Sequence, residues 1–262
     1  MKKKRENEGD VKLMLKKKLD VKDVTVTYDG NPVIEDISVN LIEGEIVSIL
    51  GTSGVGKTTL FNVIAGLITP DKGTVNLDDE DITGKSGKIS YMLQKDLLLP
   101  FKTIIDNVSL PLILKGEKRK NAREKANKYF KQFGLEGMEN RYPKELSGGM
   151  RQRAAFLRTY MFSNEIALLD EPFSALDAIT KHKMHTWYLD IVRKLNISIL
   201  FITHDIDEAV LISDRIYIMS GKPGKIVKEI KVDIDKAISN EEVSMSEKFL
   251  NHKKEIMKFL IK

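Results

Sequence analysis

The segment Gly51-Thr52-Ser53-Gly54-Val55-Gly56-Lys57-Thr58 has the spacing G-x-x-x-x-G-K-[ST]. Glycine at these positions removes side chains that would keep a phosphate away from backbone N–H groups. Lys57 adds a point charge for terminal phosphate oxygens, and the Thr58 hydroxyl is a hard oxygen ligand for Mg²⁺. A helix opening near Lys57 turns its positive end toward the same place. The chemistry that results is capture of a nucleoside triphosphate by its phosphates.

Two further sites fit that chemistry. Ile166-Ala167-Leu168-Leu169-Asp170 is an apolar run ending in a carboxylate, followed at once by Glu171. Asp170 is suited to hold Mg²⁺, and a second acid beside it is suited to orient or deprotonate an attacking water. His204 lies two residues past the apolar run ending at Ile202. Strand ends of this kind line the ligand crevice of open α/β sheets, so His204 is placed to reach a γ-phosphate.

The elements that must carry these residues follow from pattern. Gly44 to Leu50 reads as a buried strand before the phosphate loop, and Lys57 to Ala65 as a helix after it, with Gly66 as its C-cap. Val21 to Tyr28 reads as a strand ended by a turn at Asp29-Gly30-Asn31. Gly73–Leu77, Lys88–Leu93, Ile166–Leu169, Ser198–Ile202 and Arg215–Met219 read as further strands. Strand signals vanish from Lys95 to about Tyr160, where charged helical stretches such as Glu117 to Phe133 dominate. Met184, Tyr188, Ile191, Val192 and Leu195 make the core stripe of a helix within Ser174–Leu195, with Trp187 packing beside it. Glu241 to Lys262 reads as one amphipathic helix. The expectation is an α/β core interrupted by a helical insertion.

Bulk properties narrow the class. The 262 residues carry a formal charge of +5 and no cysteine, which excludes disulfides, cysteine-ligated zinc and thiol catalysis. The mild charge gives no argument for nucleic acid. No apolar run reaches the roughly 20 residues that span a bilayer. The basic start, Met1 to about residue 18, lacks the apolar stretch of a signal peptide and reads as a solvated lead-in.

Between the phosphate loop and the acidic strand stands Leu146-Ser147-Gly148-Gly149-Met150-Arg151-Gln152-Arg153. With it, the chain resembles the nucleotide-binding subunit of an ATP-binding cassette (ABC) transporter, from about Leu19 to Ile226. Gly51–Thr58 matches Walker A, Leu146–Arg153 the signature, Asp170 and Glu171 Walker B and the catalytic glutamate. Ser174-Ala175-Leu176-Asp177 matches the D-loop. Tyr28 matches the aromatic residue that stacks on adenine, Gln94 the Q-loop glutamine and His204 the H-loop.

The resemblance implies a P-loop NTPase (RecA-like) core with an N-terminal antiparallel β subdomain and an inserted α-helical subdomain at about 95–160. The ATPase domain would span 19–232, and 233–262 would form a C-terminal helical tail. It implies catalytic roles for Glu171, His204, Lys57 and Gln94. ATP contacts are implied for Tyr28, Gly51, Thr52, Ser53, Gly54, Val55, Gly56, Lys57, Thr58, Thr59, Ser147, Gly148, Gly149 and Asp177. Mg²⁺ would be held by Thr58, Gln94 and Asp170. It also implies a head-to-tail dimer in which Ser147, Gly148 and Gly149 serve the partner's ATP. A separate permease and, indirectly, a solute-binding protein would place the chain on the cytoplasmic face of the membrane.

Leu97–Phe101, Asp170–Thr180 and Lys222-Pro223-Gly224-Lys225-Ile226 are similar to the importer branch for nitrate, sulfonate, taurine and thiamine-precursor pyrimidines. Phe101 stands where Trp is usual there, and Thr52 where Pro is common. A soluble ABC ATPase of the iron–sulfur assembly type is the competing expectation. Leu97-Leu98-Leu99 is open to two readings, core of the insertion or part of a permease-facing surface over Gln94–Val108.

Overall fold

The computed structural model describes residues 16–163, 165–234 and 240–260. Two sheets organise the chain. The smaller is antiparallel, in the order β2-β1-β4-β5, built from β1 (Lys17–Tyr28), β2 (Asn31–Ile42), β4 (Lys72–Leu77) and β5 (Glu80–Asp81). The larger has the order β10-β9-β3-β8-β7-β6. Its strands are β3 (Ile46–Gly51), β6 (Ser90–Met92), β7 (Ile166–Asp170), β8 (Ser198–Thr203), β9 (Arg215–Ser220) and β10 (Lys225–Lys231). All neighbours in it are parallel except β9 and β10.

The parallel strands are buried on both faces, and the strand period of two divides their residues between two cores. Ile46 and Leu50 of β3, Ala167 and Leu169 of β7, and Ile199 and Phe201 of β8 join the core that also holds Phe156, Tyr188, Val192, Val210 and Ile212. Val47, Ile49, Ile166, Leu168, Leu200 and Ile202 face α1 (Lys57–Ile64) and the small sheet. This is the α/β P-loop fold expected from the motifs.

The insertion contains α2 (Ile104–Leu114), α3 (Arg119–Asn127) and the start of α4 (Gly148–Phe162). The helical stretch expected over Glu117–Phe133 stops near Asn127. The chain then turns so that Phe130 and Phe133 drop into the core. Phe133, Phe156 and Trp187 meet ring to ring at 5.8 to 6.2 Å, so Trp187 packs as its stripe position suggests. Leu97, Leu98 and Leu99 divide between the two readings: Leu98 is buried at 7% and Leu97 is 51% exposed.

After β7 come α5 (Ala178–Leu195), α6 (Ile206–Ile212), α7 (Asn240–Met245) and α8 (Glu247–Leu260). The single C-terminal helix expected from Glu241 onward is two. Ser246 breaks it, and its Oγ accepts the Phe249 N–H at 3.2 Å to open α8. Ile261 and Lys262, the end of that stretch, lie outside the described residues, as does most of the lead-in.

The lead-in ends earlier than its composition suggests. Lys17 and Lys18 already belong to β1, and Lys18 is 6% exposed. Its Nζ lies 2.7 Å from Asp78 Oδ2 and also pairs with Glu165, joining the small sheet to the root of β7.

Candidate functional site

The P-loop runs from the end of β3 into α1. Gly56 has φ +105°, and a Cβ there would stand 2.4 Å from Ile34 Cγ2, so only glycine fits. Lys57 is 6% exposed, and its Nζ donates to the carbonyls of Gly51 and Thr52 at 2.8 and 3.0 Å. Desolvation lowers its pKa, against the opposing pull of Glu171 and Asp170. Those acids therefore supply the charge that balances the lysine across the cleft.

Asp170 ends β7, buried at 8%. The Thr58 hydroxyl points at Asp170 Oδ2 from 3.4 Å. The Tyr91 hydroxyl donates to the same oxygen at 3.3 Å. Burial raises the pKa of Asp170, Glu171 raises it further, and the two hydroxyls and Lys57 oppose the rise. A carboxylate and a hydroxyl converging beside a phosphate loop are hard oxygen donors, and they fit Mg²⁺.

Glu171 has φ +44°, a left-handed conformation uncommon for a non-glycine residue. Its N–H is held by the Ile202 carbonyl at 3.1 Å, so β8 fixes the turn that aims it. Glu171 Oε1 lies 3.1 Å from His204 Nδ1. Gln94 Nε2 donates to Glu171 Oε2 at 3.4 Å and to Ser174 Oγ at 3.3 Å. Lys57, Thr58, Gln94, Asp170, Glu171 and His204 thus meet at the carboxyl ends of β3, β6, β7 and β8, where ligand crevices form in sheets of this kind.

Ser147, Gly148 and Gly149 of the signature make no side-chain hydrogen bond to this cluster among the described residues. Ser147 caps α4, its Oγ accepting the Met150 N–H at 3.3 Å. A Cβ at Gly148 would meet Leu176 at 3.7 Å, and one at Gly149 would meet Thr180 at 3.3 Å. The signature therefore packs on the D-loop and α5 of its own chain. Asp177 caps α5, accepting the Thr180 N–H at 3.0 Å. Tyr28 ends β1 at 46% exposure. No hydrogen bond or ion pair joins Ser147, Asp177 or Tyr28 to the P-loop among the described residues.

Three contributors escape a reading of the motifs. Tyr91 is one. Gly224 is the second: its N–H donates to Val33 O at 2.9 Å, and its carbonyl accepts from Glu35 N at 3.1 Å. A Cβ there would fall 2.0 Å from Val55 O, so the turn after β9 presses on the back of the P-loop. The Pro-Gly-x-Ile spacing marks that turn but not what it touches. The third is an arginine pair on α4. Arg158 donates to the carbonyls of Asp96 and Leu97 at 2.6 and 2.7 Å, and Arg151 Nε lies 3.3 Å from Asp96 Oδ2.

Fold and site define a P-loop NTPase with a cassette-type insertion. The sequence matches the ABC transporter family over residues 34–174, and the chain belongs to that family; it is an ATPase. It is 47% identical to the formylaminopyrimidine import ATP-binding protein ThiZ of Halalkalibacterium halodurans, over 85% of this chain and 87% of that one. It is 39% identical to the taurine import ATP-binding protein TauB of Yersinia pestis, over 82% and 84%. Identity with the nitrate import ATP-binding protein NrtD of Synechocystis is 40%, over 77% and 76%. Among solved structures, a dimeric ATP-binding cassette in a post-hydrolysis state with ADP and Pi superposes with a TM-score of 0.70. It is 31% identical, and the match covers 83% of this chain and 100% of that one.

Proposed function

We propose that the chain is the ATP-hydrolysing subunit of an importer for a small solute. The observation that carries the reading is Glu171, held in a left-handed turn with His204 and Gln94 on its two oxygens. The P-loop N–H groups and Lys57 bind the β- and γ-phosphates. Glu171 accepts the proton of the attacking water, and His204 holds both Glu171 and the γ-phosphate side of the cleft. Gln94 orients the water from the Q-loop through its bond to Glu171. Thr58, Asp170 and Gln94 would hold Mg²⁺, whose charge offsets that of the phosphates.

The exposed position of Ser147 at the N-terminus of α4 supports completion of the site by a second copy packed head to tail. The N-terminus of α4, with Ser147, Gly148 and Gly149, then meets the γ-phosphate bound to the partner. The relatives' names, all import ATP-binding proteins, support a transport role, and the family resemblance implies a permease partner at the cytoplasmic face of the membrane with a solute-binding protein beyond it. The 47% identity to the formylaminopyrimidine importer subunit, against 39–40% for taurine and nitrate, favours a thiamine-precursor pyrimidine as cargo. Nothing in the site favours the iron–sulfur assembly reading.

Glu171→Gln keeps the shape and removes the base. Expected is ATP binding near the wild-type level with turnover reduced about 10²–10⁴-fold, the range of a general base; near wild-type turnover refutes the assignment. Ser147→Arg should abolish turnover and leave ATP binding by the monomer intact.

A further inference from the structure

A charged cluster behind the site ties the D-loop helix to the H-loop. Lys181 lies four residues past Asp177 on α5. Its Nζ is 2.6 Å from Asp205 Oδ2 and 3.4 Å from Glu208 Oε1, both on the neighbouring helix end. Glu208 is 3% exposed, and that same oxygen lies 3.2 Å from the Nε2 of buried His185. Phe173 closes the other side of His185, ring against ring at 4.8 Å.

Both oxygens of Asp205 are committed. Oδ1 accepts the N–H groups of Asp207 and Glu208 at 2.9 and 3.2 Å and so caps α6. Oδ2 takes the Lys181 ammonium. The Asp205 N–H in turn donates to Thr203 Oγ1 at 3.0 Å. Between Thr203 and Asp205 stands His204, the residue whose Nδ1 faces Glu171. Its backbone is therefore fixed by the end of β8 on one side and by the Lys181-held cap on the other.

Resting on the function proposed above, we infer that Lys181 is a positioning residue for hydrolysis: acting through Asp205, it sets where the His204 imidazole stands relative to Glu171. The charges agree with the geometry. Burial pushes the Lys181 pKa down, but the hydrogen bond to Asp205 and the two carboxylates outweigh it, so the ammonium persists. Burial likewise pushes Asp205 up, and Lys181 and the α6 N–H groups bring it below its usual value. Lys181 gains from being on α5 rather than α6. It reports the position of the helix that the D-loop opens, so displacement of that loop reaches His204 through one side chain.

The test uses the full-length protein, with single-turnover hydrolysis and ATP affinity measured for Lys181→Met and Lys181→Arg in wild-type and His204→Ala backgrounds. Lys181→Met is expected to slow hydrolysis about ten- to hundredfold, the usual consequence of misplacing a catalytic group by about 1 Å. ATP Kd should stay within about twofold, and Lys181→Arg should recover most of the rate. In the His204→Ala background Lys181→Met should add less than about twofold, because the two residues act as a unit. Asp205→Asn, which keeps a capping oxygen and weakens the lysine contact, should behave like Lys181→Met. The four histidines permit a direct readout: the His204 imidazole resonance should move in Lys181→Met and return in Lys181→Arg. Equal slowing in both backgrounds, or a wild-type rate in Lys181→Met beside a slow His204→Ala, overturns the inference and leaves the proposed function standing. A His204→Ala protein as fast as wild type instead removes the functional reading on which it rests.

Discussion

Gly224→Ala tests whether the turn after β9 holds the phosphate loop in shape. The new Cβ would lie 2.0 Å from Val55 O and 2.7 Å from Met219 Cε. Ordinary contact begins near 3.4 Å, so the turn or the P-loop must shift by about 1.4 Å. The methionine terminus can swing aside, but a backbone carbonyl cannot rotate out of the way alone. Overpacking of this sort costs about 1–3 kcal/mol, which for a chain of this length lowers Tm by roughly 2–4 °C per kcal/mol. The larger effect should fall on function. Val55 sits inside the cradle, and a displacement near 1 Å at a phosphate site is worth about 10²-fold in rate. Calorimetry and ATP titration on the same preparation measure both, with Gly116→Ala as the control. Gly116 has φ +94° but nothing within 4 Å, so alanine there should cost about 1–2 kcal/mol through backbone strain and leave ATP binding unchanged. If Gly224→Ala loses stability without losing ATP affinity or rate, or matches wild type in all three, the turn does not shape the P-loop.

Other perturbations have definite signs. Lys18→Met leaves Asp78 without its buried partner; because Asp78 and Glu165 are 34% and 65% exposed, the loss should be about 1–2 kcal/mol by chemical denaturation rather than the larger figure for a fully buried pair. Asp170→Asn removes a carboxylate that burial and Glu171 disfavour, so the nucleotide-free protein should melt higher while Mg²⁺ loses its effect on ATP binding; a lower Tm contradicts the account. Asp205 is held below its ordinary 3.8, so its contribution to stability is complete above that value and lost as pH falls through the depressed folded pKa. In Lys181→Met the depression shrinks, and acid unfolding should begin at higher pH than in wild type.

The parts legible in sequence are those where local pattern and tertiary role coincide. Gly51–Thr58 and Ile166–Glu171 fix their own conformations, so their spacing reads directly as a loop and a buried strand. β2 is obscured for a physical reason. Its inward residues are Ile34, Ile37, Val39 and Leu41, and the step of three between the first two breaks the alternation. Asp36, at φ +54°, absorbs the extra residue, and a register shift accompanies it. β10 hides because only Ile230 of its seven residues is buried. The lead-in misled through composition: Lys18 reads as solvated until a partner 60 residues away and another 147 away are folded against it. Contacts such as Gly224 on Val55 and Lys181 on Asp205 depend on how loops from different strands converge, which no local pattern encodes.

The two ends of the Q-loop are tethered to different bodies. Gln94 is bonded to Glu171 and Ser174 of the sheet region, and Asp96 to Arg151 and Arg158 of α4. Only Lys95 separates them, so the two tethered residues are two Cα steps apart, about 7 Å at full stretch. A swing of α4 must therefore break one tether almost at once. The arginine tether, with bonds of 2.6 and 2.7 Å from a guanidinium, is stronger than the amide contacts at 3.3 and 3.4 Å. In such a swing the weak end would give first, at the glutamate, so the joint is built as a clutch.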